Sequence, residues 1–150
     1  MSDGQAKGEF GFQPEWDTAD RKAPPNVRAF VTYRTEGCSA APYDKNNLAF
    51  HVGDDIEAVE KNRQALVKRL EFSSPVGWLS QIHSDRIITE DEFATLKTHP
   101  VEADGVVASS SQLACAVMTA DCLPVLFCNV QGTQVAAIHA GWRGLENGIL

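Results

Sequence analysis

Three short strings in the second half of the chain place metal-capable or nucleophilic side chains at the ends of apolar runs. They are Gln81-Ile82-His83, Thr119-Ala120-Asp121-Cys122-Leu123-Pro124-Val125 and His139-Ala140-Gly141-Trp142-Arg143-Gly144. A fold that gathers strand ends at one sheet edge would bring His83, Cys122 and His139 together. Two imidazoles and a thiolate make either a metal site with an open position or a Cys-His catalytic pair. A three-ligand set leaves a fourth position for water or substrate, as catalytic zinc sites do, and the same donors suit copper. Each residue also has an ordinary explanation. A histidine in a link is commonly a satisfied surface residue, and a cysteine beside an apolar run is commonly a small buried hydrophobe.

The elements that must position these residues read mainly as strands. Val27 to Tyr33 alternates as a first strand. The Gly-, Pro-, Asn- and Asp-rich stretch from Arg34 to Asp55 reads as a long ordered loop with a short strand at Leu48 to Val52. Asp54 followed by Glu57 resembles a capping box, and Ile56, Val59, Leu66, Val67 and Leu70 share one face of a helix from Ile56 to Leu70. Strands are expected at Val76 to Ile82, Arg86 to Thr89, Gly105 to Ala108, Leu113 to Thr119, Leu123 to Asn129 and Gln134 to His139. His83-Ser84-Asp85 forms the tight link between the first two of these, and Gln131-Gly132 the turn of a hairpin. Ala114 to Met118 and Val125 to Cys128 are nearly continuous in apolar residues, which implies strands covered on both faces. A helix begins at Gly141.

Composition narrows the class. A chain of 150 residues, 43% hydrophobic and 22% charged, suits one domain with a real core. The net charge of -7 argues against non-specific nucleic-acid binding, which needs clustered cationic charge. No apolar run is long enough to span a bilayer. Residues 1-26 read as a polar, flexible tail without the apolar middle of a signal peptide, so a cytoplasmic location is expected. The four cysteines, Cys38, Cys115, Cys122 and Cys128, contain no Cys-x-x-Cys pair, which disfavours a zinc ribbon. Cys115 and Cys128 read as buried hydrophobes.

The strings around Cys122 and His139 resemble the laccase-domain family, also called the polyphenol oxidase or purine nucleoside phosphorylase family, to which the bacterial peptidoglycan editing factor belongs. Further matches in the family's order are Thr32-Tyr33-Arg34, Pro42-Tyr43 through Asn47-Leu48, His51 to Asp55, Glu60 to Arg63, Trp78 to His83 and Ala103-Asp104-Gly105-Val106. The chain departs from the family pattern after Arg34, where Thr35-Glu36 replaces a common Gly-Gly pair. The resemblance implies a layered α-β-β-α sandwich with mixed sheets, an α/β fold similar to the cytotoxin-like putative cysteine hydrolases. It also implies that residues 27-150 are the N-terminal major part of a single domain whose C-terminal portion is absent.

The same resemblance implies zinc, or copper, held by His83, Cys122 and His139. The implied activities are phosphorolysis of adenosine, inosine and methylthioadenosine, and deamination of adenosine, under a family name that also implies polyphenol oxidation. The implied partners are small molecules, a purine nucleoside and phosphate. Zinc lowers the pKa of a water it binds, which suits deamination. Phosphorolysis needs cationic donors, and the guanidinium forks of Arg34 and Arg143 match phosphate oxygens. Asp121 could orient His139 or act as an acid-base group, and Asn47 and Gln81 could hydrogen-bond base or ribose. Two other functions remain open: a Cys122-His139 hydrolase acting on a peptidoglycan precursor, and a chain that serves only as an inactive fragment or binding module.

Overall fold

The computed structural model describes residues 10-14, 22-97 and 100-150. Short strands and three helices alternate among them, giving a mixed α/β architecture with several small sheets. The chain forms two compact units, one from Arg28–Glu71 with the strand near residue 11, the other from Phe72–Leu150 with Lys22–Val27. No helix among the described residues is long and apolar enough to cross a membrane.

The first unit is built on one helix and a network of loop hydrogen bonds. β1 (Gly11–Phe12) pairs antiparallel with β2 (Val31–Thr32), and Phe10 beside it is buried. The stretch expected as a polar tail thus contains a strand, and residues 1-9 and 15-21 of it lie outside the described residues. The expected strand from Val27 contracts to β2. Where a short strand was expected near Leu48, the chain instead makes a 3-10 turn at Phe50–Val52. Helix α1 spans Ile56–Leu70, as its apolar spacing predicts, but its cap is Asp55, whose side chain accepts from the Ala58 N–H. Asp54 accepts from Asp55 N–H and Asn47 Nδ2. Val59 and Leu66 are buried, whereas Ile56 is 64% exposed. At the departure from the family pattern, Glu36 adopts a left-handed φ of 59°, a conformation glycine takes more easily, and its carboxylate pairs with Arg69 at 2.6 Å.

Asn62 lies on the buried face of α1 and organises the loop above it. Its Nδ2 donates to Ser39 Oγ and to the Lys45 and Asn47 carbonyls, while its Oδ1 accepts from the Cys38 N–H. A buried amide is tolerable because all these groups satisfy one another.

The second unit centres on a four-stranded sheet in the order β5-β7-β10-β9. β5 (Ile87–Thr89) runs parallel to β7 (Gly105–Ala108), β10 (Val135–Ala140) runs antiparallel to β7, and β9 (Leu123–Cys128) runs antiparallel to β10. The β9-β10 hairpin closes through Gly132 at φ 66°, with Asn129 Oδ1 accepting from the N–H groups of Thr133 and Gln134. Two smaller parallel pairs complete the unit: β3 (Val76–Gly77) with β8 (Ala114–Cys115), and β4 (Leu79–Ser80) with β6 (Val101–Glu102). The single strand expected from Val76 to Ile82 is therefore split at Trp78 between two partners, and the strand expected from Leu113 shortens to β8.

The core gathers Leu79, Ile88, Val101, Val106 and Ala108 from β4, β5, β6 and β7, with Ala103 and Leu113 beside strand ends. In the stretch read as merely polar, α2 (Glu90–Thr95) forms on a reciprocal capping box between Thr89 and Glu92. The expectation that Val125 to Cys128 is covered on both faces is not met. β9 is an edge strand, with Leu123 56% and Phe127 48% exposed. Pro124 is accommodated there because an edge strand needs fewer N–H donors.

The Asn62 network yields a stability prediction. Asn62→Leu keeps the bulk but leaves buried loop groups without partners, so unfolding free energy should fall by about 2 to 3 kcal/mol in a denaturant titration. An unchanged midpoint would show that the network contributes nothing net.

Candidate metal centre

Strand direction explains why the chemistry collects at one place. β5, β7 and β9 begin at the same end of the sheet at which β10 finishes, given the pairings above. His83 lies just before β5, Asp104 just before β7, Cys122 just before β9, and His139 near the end of β10. Residues far apart in sequence therefore meet at one sheet end. Backbone bonds fix the alignment there. His139 N–H donates to the Asp104 carbonyl at 2.7 Å, and Asp104 N–H donates to the Arg86 carbonyl at 2.9 Å. Across the hairpin, His139 stands opposite Pro124, two residues beyond the thiol.

His83, Cys122 and His139 are brought together with one ligand atom from each lying within 4.8 Å of the others. Cys122 Sγ lies 3.8 Å from His83 Nε2, and the two imidazoles meet edge to face at 4.8 Å between centroids. A tetrahedral metal with bonds of about 2.0 Å to nitrogen and about 2.3 Å to sulfur needs donor separations of about 3.4 to 3.6 Å. The observed spacing fits after a closure of roughly an ångström. His139 is buried, Cys122 is partly buried and His83 is exposed, so the group opens to solvent on the His83 side.

Asp104 holds the group in place. It is fully buried, and its carboxylate accepts from the backbone N–H groups of Ile82, His83 and Ser84 and from the Ser84 hydroxyl. These bonds stabilise a turn in which His83 sits at φ 60°, a conformation that costs a non-glycine residue of order 1 kcal/mol. The same carboxylate contacts His139 Nδ1 at 2.8 Å. Assigning the proton to Nδ1 leaves the Nε2 lone pair for a ligand, the arrangement typical of carboxylate-supported metal histidines. Burial alone would raise the carboxyl pKa. The bonds from His139, Ser84 and His83 outweigh it and hold the group below the ordinary value of 3.8.

Gly141 supplies the remaining geometric condition. A Cβ at this position would stand 3.0 Å from His83 Cδ2, 3.2 Å from Cys122 Sγ and 3.6 Å from His139 Cε1. The chain thus passes against all three side chains, and a methyl group here would require His83 and Cys122 to give by a few tenths of an ångström. One turn further on, helix α3 (Trp142–Asn147) approaches the Ser84 carbonyl through Gly144, where a Cβ would lie at 2.9 Å.

The other sequence candidates divide between the units. Gln81, Asp121 and Arg143 belong to the unit that holds the three-residue group, whereas Arg34 and Asn47 belong to the first unit. Gln81 pairs its side-chain amide with the backbone of Met118. Asp121 is exposed beside Cys122, and the carboxylate that orients His139 is Asp104. Arg143 is exposed, with its guanidinium 5.1 Å from the Trp142 ring centre. Arg34 donates to the Asp44 and Pro42 carbonyls, and Asn47 bonds Ala49 and Asp54. Cys115 is apart from this chemistry; burial pushes its thiol up to about 11. Asp104 has a role that sequence reasoning did not assign, because Glu102 two residues earlier looks locally the same and the partners of Asp104 lie far along the chain.

Comparison with known proteins places this geometry in a family. The family model described as multi-copper polyphenol oxidoreductase laccase matches residues 28-150. A purine nucleoside phosphorylase of Pseudomonas aeruginosa is 48% identical over 135 residues, covering 90% of this chain and 53% of the relative. A purine nucleoside phosphorylase of Haemophilus influenzae is 44% identical over 139 residues, covering 93% and 53%. Among solved structures, a Neisseria meningitidis protein superposes with a TM-score of 0.82 at 42% identity, covering 94% of this chain and 54% of that one. YlmD from Geobacillus stearothermophilus gives 0.68 at 30% identity, covering 85% and 50%. The chain spans about half the length of the curated relatives it matches.

Two predictions follow from Asp104 and Gly141. Asp104→Asn turns an NH2 towards N–H donors whichever way the amide lies, so stability should drop by about 3 kcal/mol or more in denaturant unfolding. The carboxylate's contribution is complete above the ordinary value of 3.8 and is lost as pH falls through the lower folded value, so the variant's deficit should narrow in strong acid. Gly141→Ala, at an ordinary φ of -72°, should retain the fold and, where the three donors take up a metal, weaken that binding about tenfold in a chelator competition. Unchanged affinity would show that the cradle tolerates a methyl group. The three gathered donors, the residue match and the structural likeness carry one conclusion: the chain belongs to the multi-copper polyphenol oxidoreductase laccase family.

Proposed function

We propose that this chain carries the metal-binding part of a purine nucleoside phosphorylase site, with His83, Cys122 and His139 as the ligands. The observation that carries the reading is the convergence of the three donors on a glycine cradle, with Asp104 2.8 Å from Nδ1 of one of them, His139. The names of the relatives support the substrate class. Zinc suits an imidazole-thiolate set with one side open, and copper suits the same donors. When bound, the metal supplies Lewis-acid polarisation of an oxygen in the open position.

The chain's own residues would do the rest. Asp104 holds the His139 ring and the His83 turn. Arg143, in the same unit as the three donors, is the candidate for binding phosphate oxygens, while the Gln81 amide is held by the Met118 backbone and supports the centre instead of the substrate. In phosphorolysis a phosphate oxygen attacks C1′ of the ribose, the glycosidic C–N bond breaks, and its electron pair leaves with the purine, which takes up a proton. Asp121, exposed beside Cys122, is the acid-base candidate for that proton. Inosine, adenosine and methylthioadenosine are the proposed substrates, with adenosine deamination as a companion activity at the same centre. In a protein of the relatives' full length, the small sheets would build into a layered α-β-β-α sandwich.

One contact favours a second reading. The sequence pairs Cys122 with His139 in a Cys-His hydrolase acting on a peptidoglycan precursor, but the 3.8 Å approach of Cys122 Sγ is to His83 Nε2, so that reading would use His83 as the base. Metal analysis and phosphate-dependent inosine cleavage, measured on this chain beside a longer relative, separate the readings. The phosphorylase reading expects about one metal per chain, lost in His83→Ala and in Cys122→Ala, with turnover that requires phosphate. Metal-free protein with a selectively alkylated Cys122 would overturn it in favour of the hydrolase. Bound metal without turnover, where the longer relative is active, would leave this chain as a binding module.

A further inference from the structure

Cys122 is carried by a segment that has no regular structure of its own. β8 ends at Cys115 and β9 begins at Leu123, and the residues between them lie in neither strand. The neighbouring segment, which leads to His83, pairs with β8 only at Val76–Gly77 and then turns away to pair with β6 through Leu79–Ser80. Backbone pairing therefore stops before either ligand is reached.

The Gln81 side chain continues the pairing where the backbone leaves off. Its Nε2 donates to the Met118 carbonyl at 2.6 Å, and the Met118 N–H donates to its Oε1 at 2.7 Å. The amide thus meets one residue's donor and acceptor together, as an adjacent strand would. Gln81 lies two residues before His83, and Met118 lies four residues before Cys122.

We propose that Gln81 is a positioning residue that clamps the Cys122 segment to the His83 segment and so sets the distance between thiol and imidazole. The proposal rests on reading His83, Cys122 and His139 as ligands. Metal donors must be held to within about half an ångström to be effective. Asp104 fixes the His83 turn and β9 holds the residue after Cys122, and the Gln81 pair adds a direct tie between the two segments. The geometry favours this role over direct contact with substrate, because the amide is already committed at both ends.

Gln81→Met preserves length and volume and removes both bonds. The test is a cobalt(II) titration of the full chain and the variant, following the thiolate-to-cobalt charge-transfer band. It is paired with site-resolved alkylation of Cys122 in the metal-free proteins. The clamp predicts at least tenfold weaker cobalt binding in the variant and a weaker charge-transfer band per bound cobalt. It also predicts severalfold faster Cys122 alkylation. Equal affinity and an equal band would overturn it. If the unaltered chain binds no cobalt, the ligand reading itself fails, and alkylation then decides: equal rates overturn the clamp, and a faster variant sustains it. If Gln81→Met does not fold, hydrogen exchange at the Met118 amide of the unaltered chain decides instead. Slow exchange supports the clamp, and exchange at an open-loop rate contradicts it.

Discussion

A single buried carboxylate organises the candidate centre. Removing a charge from water is costly unless the site returns an equivalent number of donors. Asp104 receives three backbone N–H groups, a hydroxyl and an imidazole. That arrangement does two things at once. It stabilises a left-handed residue at His83, and it fixes the ring of His139. Two of the three donors are thus coupled through one side chain, and neither can shift without disturbing the other. No buried side-chain nitrogen or oxygen among the described residues lacks a partner, consistent with a polar end of the sheet that is fully satisfied.

The sheet supplies what the carboxylate cannot. Parallel β5 and β7 start together, and the antiparallel β10 returns to the same end, so the sheet itself brings Asp104 and His139 together and delivers the turn that carries His83. Cys122 enters from the edge strand β9, and its segment is the least regular of the four. Gly141 then lets the chain leave β10 along the donors instead of around them. Rigid supports on one side and an exposed His83 on the other give a group that is ordered yet reachable, as a centre that must admit a ligand requires.

Much of this was legible in the sequence, for identifiable reasons. Helix α1 follows from apolar spacing, the β9-β10 hairpin from its Gly-containing turn, and the ends of apolar runs mark where His83, Cys122 and His139 stand. Other features were not legible because their causes lie far along the chain. Asp104 bonds residues 20 to 35 positions away, and nothing local distinguishes it from a solvated acid. Asn62 reads as a polar interruption of a helix face until the loop carbonyls it serves are in place. The apolar run of β9 suggested cover on both faces, but composition alone does not reveal whether a neighbour is present to provide it. Gln81 carries the chemistry of a ligand-binding amide, and only the position of Met118 reveals its partner.

The central claim is that Asp104 and the sheet end assemble His83, Cys122 and His139 into one three-donor metal centre. X-ray absorption spectroscopy of the zinc-loaded chain tests it most directly. The account predicts one sulfur at about 2.3 Å and two imidazole nitrogens at about 2.0 Å in the zinc shell. A shell of nitrogen and oxygen with no sulfur would contradict it.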